Sequence, residues 1–304
     1  MNAFTKLTDG IAVGCAFNHV IVDGRATWHF FSSWAEICRG AHTISLLPFH
    51  DRMQARNTRV KLDIPPSLLA GEGCCDAAKA ATALGRLRER IFHFSGDSID
   101  KIKARANAGA TGESKPFSTF QALGAHIWQA VTRARQLKAE EYTVFTVFAD
   151  CRKRVEPAMP GAYFGNLIQA IFTVTTAGAV VEQAAEYRAR LLQEAIGKHD
   201  AKAIEARSKE WEEAPKLFEY KDAGMNCVAV GSSPTFQVYD VDFGWGPPEV
   251  VRSGMNNKFD GMVYLYPGRD GGGSIDVEIS LEPHAMEKLE KDKEFLISFS
   301  CMLN

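Results

Sequence analysis

Bulky apolar residues Ile11, Val13, Cys15 and Phe17 alternate with the smaller Ala12, Gly14 and Ala16. This period of two predicts a well-buried strand with one bulky and one tight face. The period then changes. Trp28, Phe31, Trp34, Ala35 and Cys38 recur every three or four residues and end at Arg39-Gly40, a basic last turn followed by a glycine, so this segment is predicted to be a helix. HVIVDG, residues 19–24, lies between the two as a strand-to-helix connection. His19 and Asp23 therefore need not meet as a helical i, i+4 pair.

Past Gly40 the pattern loosens. Residues 61–88 hold Pro65-Pro66, glycines and a run of small residues, the composition of an inter-domain connection. A second domain begins near Arg90, with a strand at 91–95, a short helix at 98–107 and a long helix over 116–137. The long helix carries Phe120, Leu123, Ile127, Val131 and Ala134 on one side, and its basic end, Arg133 and Arg135, is expected to be a solvated terminus. Buried strands are predicted at 142–149 and 167–175, one or two solvated helices within 180–213, strands at 226–231, 235–241, 261–266 and 275–281, and a last helix over 283–291. No repeat of fixed period is visible. The mixture indicates an α/β arrangement with mixed sheets.

Composition narrows what this fold can do. A chain of 304 residues with 46% hydrophobic and 24% charged residues can bury one large core or two ordinary ones. Thirty-five basic against 37 acidic residues give a net charge of -2, so no global field favours nucleic acid or an anionic membrane. Seven cysteines, an odd number with no CxxC pair, fit reduced cytosol better than a disulfide framework or a zinc site. His19 and Asp23 have no third ligand at metal spacing nearby. No apolar run reaches the length of a membrane span, and the start has no signal-peptide pattern.

A rarer signal stands at 242–246: DFGWG, placed after a predicted strand. HxxxDG followed some 220 residues later by DFGWG resembles the plant acyl-CoA-dependent acyltransferases of the BAHD family. The likeness extends through FSTFQALGAHIW (117–128), ADCRKR (149–154), YFGN (163–166) and NKFDGMVYLYPG (257–268), and is strongest toward the defective-in-cuticular-ridges-like branch. It implies a two-domain chloramphenicol-acetyltransferase-like fold with mixed sheets. It also implies transfer of an acyl group from acyl-CoA, a co-substrate rather than a resident cofactor, to a small hydroxyl or amine acceptor. Imidazole suits this chemistry because it titrates near neutrality, so His19 would be the general base. Asp23 would point away from the substrates and pair with an arginine, Arg152 ahead of Arg154, while Gly24 would serve a tight turn. Asp242, Gly244, Trp245 and Gly246 would be structural. Ser118 and Thr119, at the start of the long helix, are candidates either to bind CoA or to cap the helix. Lys258 and Arg269 are further candidates for its phosphates. Relatives carry a tryptophan near the stretch GSSPTFQVY (231–239) that this sequence lacks, and Ser232 and Ser233 remain there. No metal, nucleic acid or membrane span is implied, and a cytoplasmic monomer is expected.

Family members carry well over a hundred residues before the strand leading into HxxxD, whereas this sequence starts at MNAFTKLTDG. The resemblance therefore implies an incomplete first domain, residues 1–60 and 242–262, a linker at 61–88, and a C-terminal domain of 89–241 and 263–304. A truncated, inactive fragment is the alternative reading.

Overall fold

The computed structural model of the chain describes residues 2–58, 60, 61, 63, 87–109, 115–216, 220–254 and 258–296. The chain divides into two units, one of Met1–Thr58, Asp150–Gln169 and Thr235–Asn256, the other of Arg59–Ala149, Ala170–Pro234 and Asn257–Asn304. Segments 150–169 and 235–241, which the sequence pattern keeps in the C-terminal domain, thus cluster with the first unit. Most of the connection expected at 61–88 lies outside the described residues.

In the first unit a turn at Asp9-Gly10, closed by Leu7 N–H donating to Gly10 O (2.9 Å), joins β1 (Asn2–Lys6) to β2 (Ile11–Cys15) as an antiparallel hairpin. An Asp-Gly pair between apolar runs is a hairpin signal, so β1 follows from residues the period-two pattern alone passes over. The expectation of a well-buried strand is corrected: among the described residues β2 pairs only with β1, and Ile11 is 49% exposed. Two paired strands cannot cover both faces of each other. Helix α1 (Gly24–Cys38) follows, capped by Asp23, whose carboxylate accepts from Ala26 N, and ended by Gly40 at φ +88. Its aromatic side packs edge to face, Trp34 on Phe4 (5.6 Å) and on Phe243 (4.9 Å), Phe30 on Phe17 (5.3 Å). Asp51 caps a single further turn, α2 (Arg52–Ala55), and Phe49 forms a parallel bridge to Tyr163.

The second unit holds a six-stranded mixed sheet in the order β3 (Arg88–Phe94), β8 (Ile275–Leu281), β7 (Met262–Pro267), β6 (Val228–Val230), β4 (Tyr142–Asp150) and β5 (Ile168–Thr176). β3, β8 and β7 run antiparallel with Phe92 opposite Val277 and Val263 opposite Ile279, whereas β7, β6 and β4 run parallel. β3 starts three residues before its apolar run because Arg88 and Arg90, on an edge strand, pair with Glu290. Helices α3 (Gly96–Ala106), α4 (Thr119–Arg135), α5 (Ala177–Glu182), α6 (Ala185–Lys198), α7 (Ala201–Glu213) and α8 (Pro283–Leu289) complete the unit. Thr176 and Asp200 cap α5 and α7, dividing the predicted 180–213 region into three helices rather than one or two.

α4 is the central helix of this core. Leu123, Ile127, Trp128 and Val131 are fully buried with Phe145, Val263, Leu265, Val277 and Ile279, and each such side chain contributes about 1.5–3 kcal/mol by leaving water. Trp128 keeps its indole N–H satisfied by donating to Thr143 Oγ1 (3.0 Å), which donates on to Asn226 O (2.9 Å). The strand expected at 235–241 is absent: the segment folds into a one-turn 3-10 helix at Val238–Asp240. Val238 and Val241, three apart, are the buried pair, a spacing no strand can present to one side.

Gly261 has φ +94, and a Cβ placed on it would lie 1.9 Å from Cys227 O. We expect Gly261→Ala to destabilise the chain by at least about 2 kcal/mol, combining left-handed strain with the backbone clash. Urea unfolding followed by fluorescence checks this, and an unchanged midpoint would refute it.

Candidate active site

The loop between β2 and α1 opens with a turn in which Ile21 N–H donates to Asn18 O (2.9 Å) and Val20 N–H to Asn18 Oδ1 (3.0 Å). His19 sits in that turn, exposed, and its carbonyl accepts from Asn166 Nδ2. Four residues on, Asp23 is 1% exposed and points the opposite way in function. Its Oδ1 accepts from Ala26 N (3.0 Å) and Arg152 Nη2 (3.0 Å), and its Oδ2 from Leu167 N (3.0 Å) and Arg152 Nη1 (2.8 Å). The carboxylate is at once a helix cap and half of a bidentate ion pair.

Arg152 is equally buried and spends every N–H. Besides Asp23 it donates to Asp150 Oδ1 (3.0 Å), to Tyr163 O from both Nε (3.4 Å) and Nη2 (3.0 Å), and to Gly165 O (2.9 Å), with its guanidinium 5.4 Å from the centre of the Tyr163 ring. Burial works against its charge, but the hydrogen bonds and charges of Asp23 and Asp150 outweigh that and hold its pKa above the ordinary arginine value. Arg152, the expected partner, is thus brought to Asp23, and the loops 18–25 and 163–167 are tied to the same two side chains. Gly165 and Leu167 contribute only backbone groups to this arrangement, and Tyr163 adds its ring face to its carbonyl.

Cys151, beside Arg152, is no nucleophile: burial, and then Asp150, push its thiol up to about 11. Gly24 is the first residue of α1 and is not left-handed; a Cβ there would meet the Phe236 ring at 3.2 Å, so the constraint is packing rather than turn geometry. In DFGWG the backbone bends around one carboxylate. Asp242 Oδ1 accepts from Gly244 N (2.7 Å) and Gly246 N (2.9 Å), both glycines have positive φ (+103 and +96), and Arg39 donates to Asp242 O. Phe243 anchors the turn on Trp34 while Trp245 stays 67% exposed. The amide of Gly244 first, then those of Gly246 and Trp245 and the charge of Arg39, lower the Asp242 pKa.

Ser118 caps α4 in a reciprocal box, accepting from Gln121 N (3.3 Å) while its own N–H donates to Gln121 Oε1 (2.8 Å), and Thr119 is the first helical residue. Lys258 differs from expectation. It is buried, and its Nζ donates to Glu278 (2.6 Å) and Glu89 (2.6 Å), so it is committed within the second unit. Arg133 and Arg135 are likewise not a solvated terminus: the first pairs with Asp292 and Glu294, the second with Asp260. Ser232 donates to Leu265 O (3.0 Å). Among the described residues no group of three His, Cys, Asp or Glu could hold a metal, and no helix is long and apolar enough to cross a membrane.

The chain has known counterparts. A sequence model described as "Transferase family" matches residues 3–296. BAHD acyltransferase DCR of Arabidopsis thaliana is 59% identical over 300 residues, 97% of this chain and 61% of that protein. Hydroxycinnamoyltransferase 2 of Oryza sativa subsp. japonica is 31% identical, covering 93% of this chain and 65% of its own length. Among solved structures, vinorine synthase superposes with a TM-score of 0.67 at 20% identity over 95% of this chain and 62% of that one. F. sporotrichioides TRI101, complexed with coenzyme A and T-2, gives 0.68 at 19% identity over 91% and 64%. The chain belongs to the BAHD acyltransferase family, on its DCR-like branch, and has that family's mixed-sheet acyltransferase fold. It spans about three fifths of the length of these two curated relatives.

Two outcomes follow from the geometry. Arg152→Met leaves Asp23 buried and unpaired, so the chain should lose about 3–5 kcal/mol of stability, whereas Asp23→Leu combined with Arg152→Met should recover much of that; chemical denaturation of the three variants checks both statements. For Asp242, a folded pKa below the unfolded one stabilises the turn at pH values above the ordinary aspartate pKa of about 3.9, and that contribution disappears as pH falls through the lower, folded value. Protection of the Gly244 and Gly246 amides against hydrogen exchange should therefore persist at pH 5, and Asp242→Ala should remove it at every pH.

Proposed function

We propose that the protein transfers an acyl group from acyl-CoA to a hydroxyl or amine acceptor, with His19 as general base. The single observation carrying this reading is the fourfold hydrogen bonding of Asp23, which pins the start of α1 and so holds the neighbouring turn that presents an exposed imidazole. As the acceptor oxygen or nitrogen attacks the thioester carbonyl, His19 takes its proton. The C–O or C–N bond forms, the C–S bond breaks, and the proton passes to the departing CoA thiolate. No acyl-enzyme is needed, and Cys151, with its raised pKa, offers no competing nucleophile.

Coenzyme A as co-substrate is supported by relatives solved with it, among them F. graminearum TRI101 with coenzyme A and deoxynivalenol. Ser118 and Thr119 at the start of α4 are the proposed contacts to its phosphate end, a role compatible with a helix N-terminus. The 59% identity to a DCR-like relative makes acceptors related to cutin monomers the first to try. The odd cysteine count, without a CxxC pair, supports a cytosolic location as part of this proposal.

His19→Ala should lower acyl transfer about 10²- to 10⁴-fold while leaving the melting temperature unchanged, because the ring is exposed. Asp23→Ala should lower both. A panel of acyl-CoA donors with hydroxyl and amine acceptors, read by thiol release, checks this; full activity in His19→Ala would exclude the assignment.

A further inference from the structure

One buried cation, far in the sequence from the histidine turn, hydrogen-bonds no carboxylate among the described residues. Arg188, on α6, is 3% exposed and, among the described residues, no carboxylate lies within ion-pairing distance of it. Its Nη1 donates to Val180 O (2.8 Å) and Gln183 O (2.6 Å), while Nε is buried with no partner. A guanidinium held this way by neutral carbonyls keeps one edge of its planar fork unspent, an arrangement that is costly unless something acidic completes it. Burial accordingly pushes Arg188 down to about 10, Glu294 pulling the other way and Arg133 adding to the fall.

The same side chain lines a partly open cavity of about 370 Å³ within the helical part of the second unit. Its wall is apolar at Ile102, Ala122, Val181 and Ala185, and polar at His126, Gln129 and the arginines Arg105, Arg133 and Arg188. Gln129 is spent on Val181 O (3.0 Å), and Arg133 is neutralised by Asp292 and Glu294. Burial lowers the His126 pKa and its Nε2 lies 3.2 Å from Phe295 O, so it adds no charge at neutral pH. Arg105 stands exposed at the rim, where Glu182 is also exposed.

We infer that this cavity binds a small monocarboxylate, its oxygens on the Arg188 guanidinium and its short aliphatic part against Ile102, Ala122 and Ala185. A planar carboxylate matches the fork of an arginine. Arg105, Arg133 and Arg188 are matched in number by Glu182, Glu294 and Asp292, so the site offers no net positive charge to hold a phosphate dianion, and recognition rests on the unspent edge of the Arg188 fork. The site is independent of the acyl-transfer reading, since it belongs to the second unit alone and uses none of the residues placed in the transfer chemistry.

Thermal unfolding of the full chain in sodium acetate, sodium propionate, sodium phosphate and sodium chloride at equal ionic strength tests it. Ligands that bind the folded state raise the melting temperature in a saturable way. Acetate and propionate should do so, phosphate and chloride should not, and Arg188→Met should abolish the difference. Because loss of a buried arginine threatens the fold itself, Arg105→Glu at the exposed rim is the second variant, expected to weaken acetate binding about tenfold by calorimetry. Equal melting temperatures in acetate and chloride, an undiminished acetate effect in Arg188→Met, or unchanged affinity in Arg105→Glu would each overturn the inference.

Discussion

A carboxylate and a guanidinium taken out of water must find every hydrogen bond inside the protein, and the Asp23–Arg152 pair does so by recruiting backbone from four places in the chain. Asp23 takes the Ala26 and Leu167 amides, and Arg152 takes the Tyr163 and Gly165 carbonyls. The pair thereby defines the first unit. That unit has few fully buried apolar side chains, its hairpin is largely exposed, and Trp34 and Phe30 of α1 meet Phe4 and Phe17 edge to face. Geometry there is set by charge pairing more than by a packed interior. A buried ion pair is weak evidence of stability, but its directional demands are strict, which is what positioning a neighbouring histidine turn requires.

The second unit works by the opposite means. Trp128, Phe145, Leu265 and Ile279 belong to a continuous apolar core, and Gly124 in mid-helix lets α4 approach closely, since a Cβ there would meet Phe145 at 2.9 Å and Leu192 at 3.3 Å. Polar groups in this core are answered one by one, as Thr143 answers Trp128. Arg188 stands apart because its answer is incomplete.

Much of this was legible in the residues. The helix from Trp28 to Cys38 and the long helix of 119–135 follow from their three- and four-residue spacing, and β4, β7 and β8 from apolar runs that the structure buries on both faces. The Asp23–Arg152 pairing came from a resemblance and not from spacing, since 129 positions separate the two residues. What stayed hidden shares a cause. Residues 235–241 alternate like a strand, yet Pro234 precedes them and their buried positions fall three apart. β1 is short and mostly polar, so only the Asp9-Gly10 turn betrays it. Lys258 and Arg135 look like surface cations until the carboxylates that claim them, Glu89, Glu278 and Asp260, arrive from distant strands and loops. Side chains whose partners are remote in sequence cannot be assigned from local pattern.

The sealing of Asp23 and Arg152 has a practical corollary. Dissolved ions weaken pairs that they can approach, and these two side chains are each 1% exposed. The latch is therefore deaf to ionic strength, and added electrolyte should leave the posture of the histidine turn unaltered.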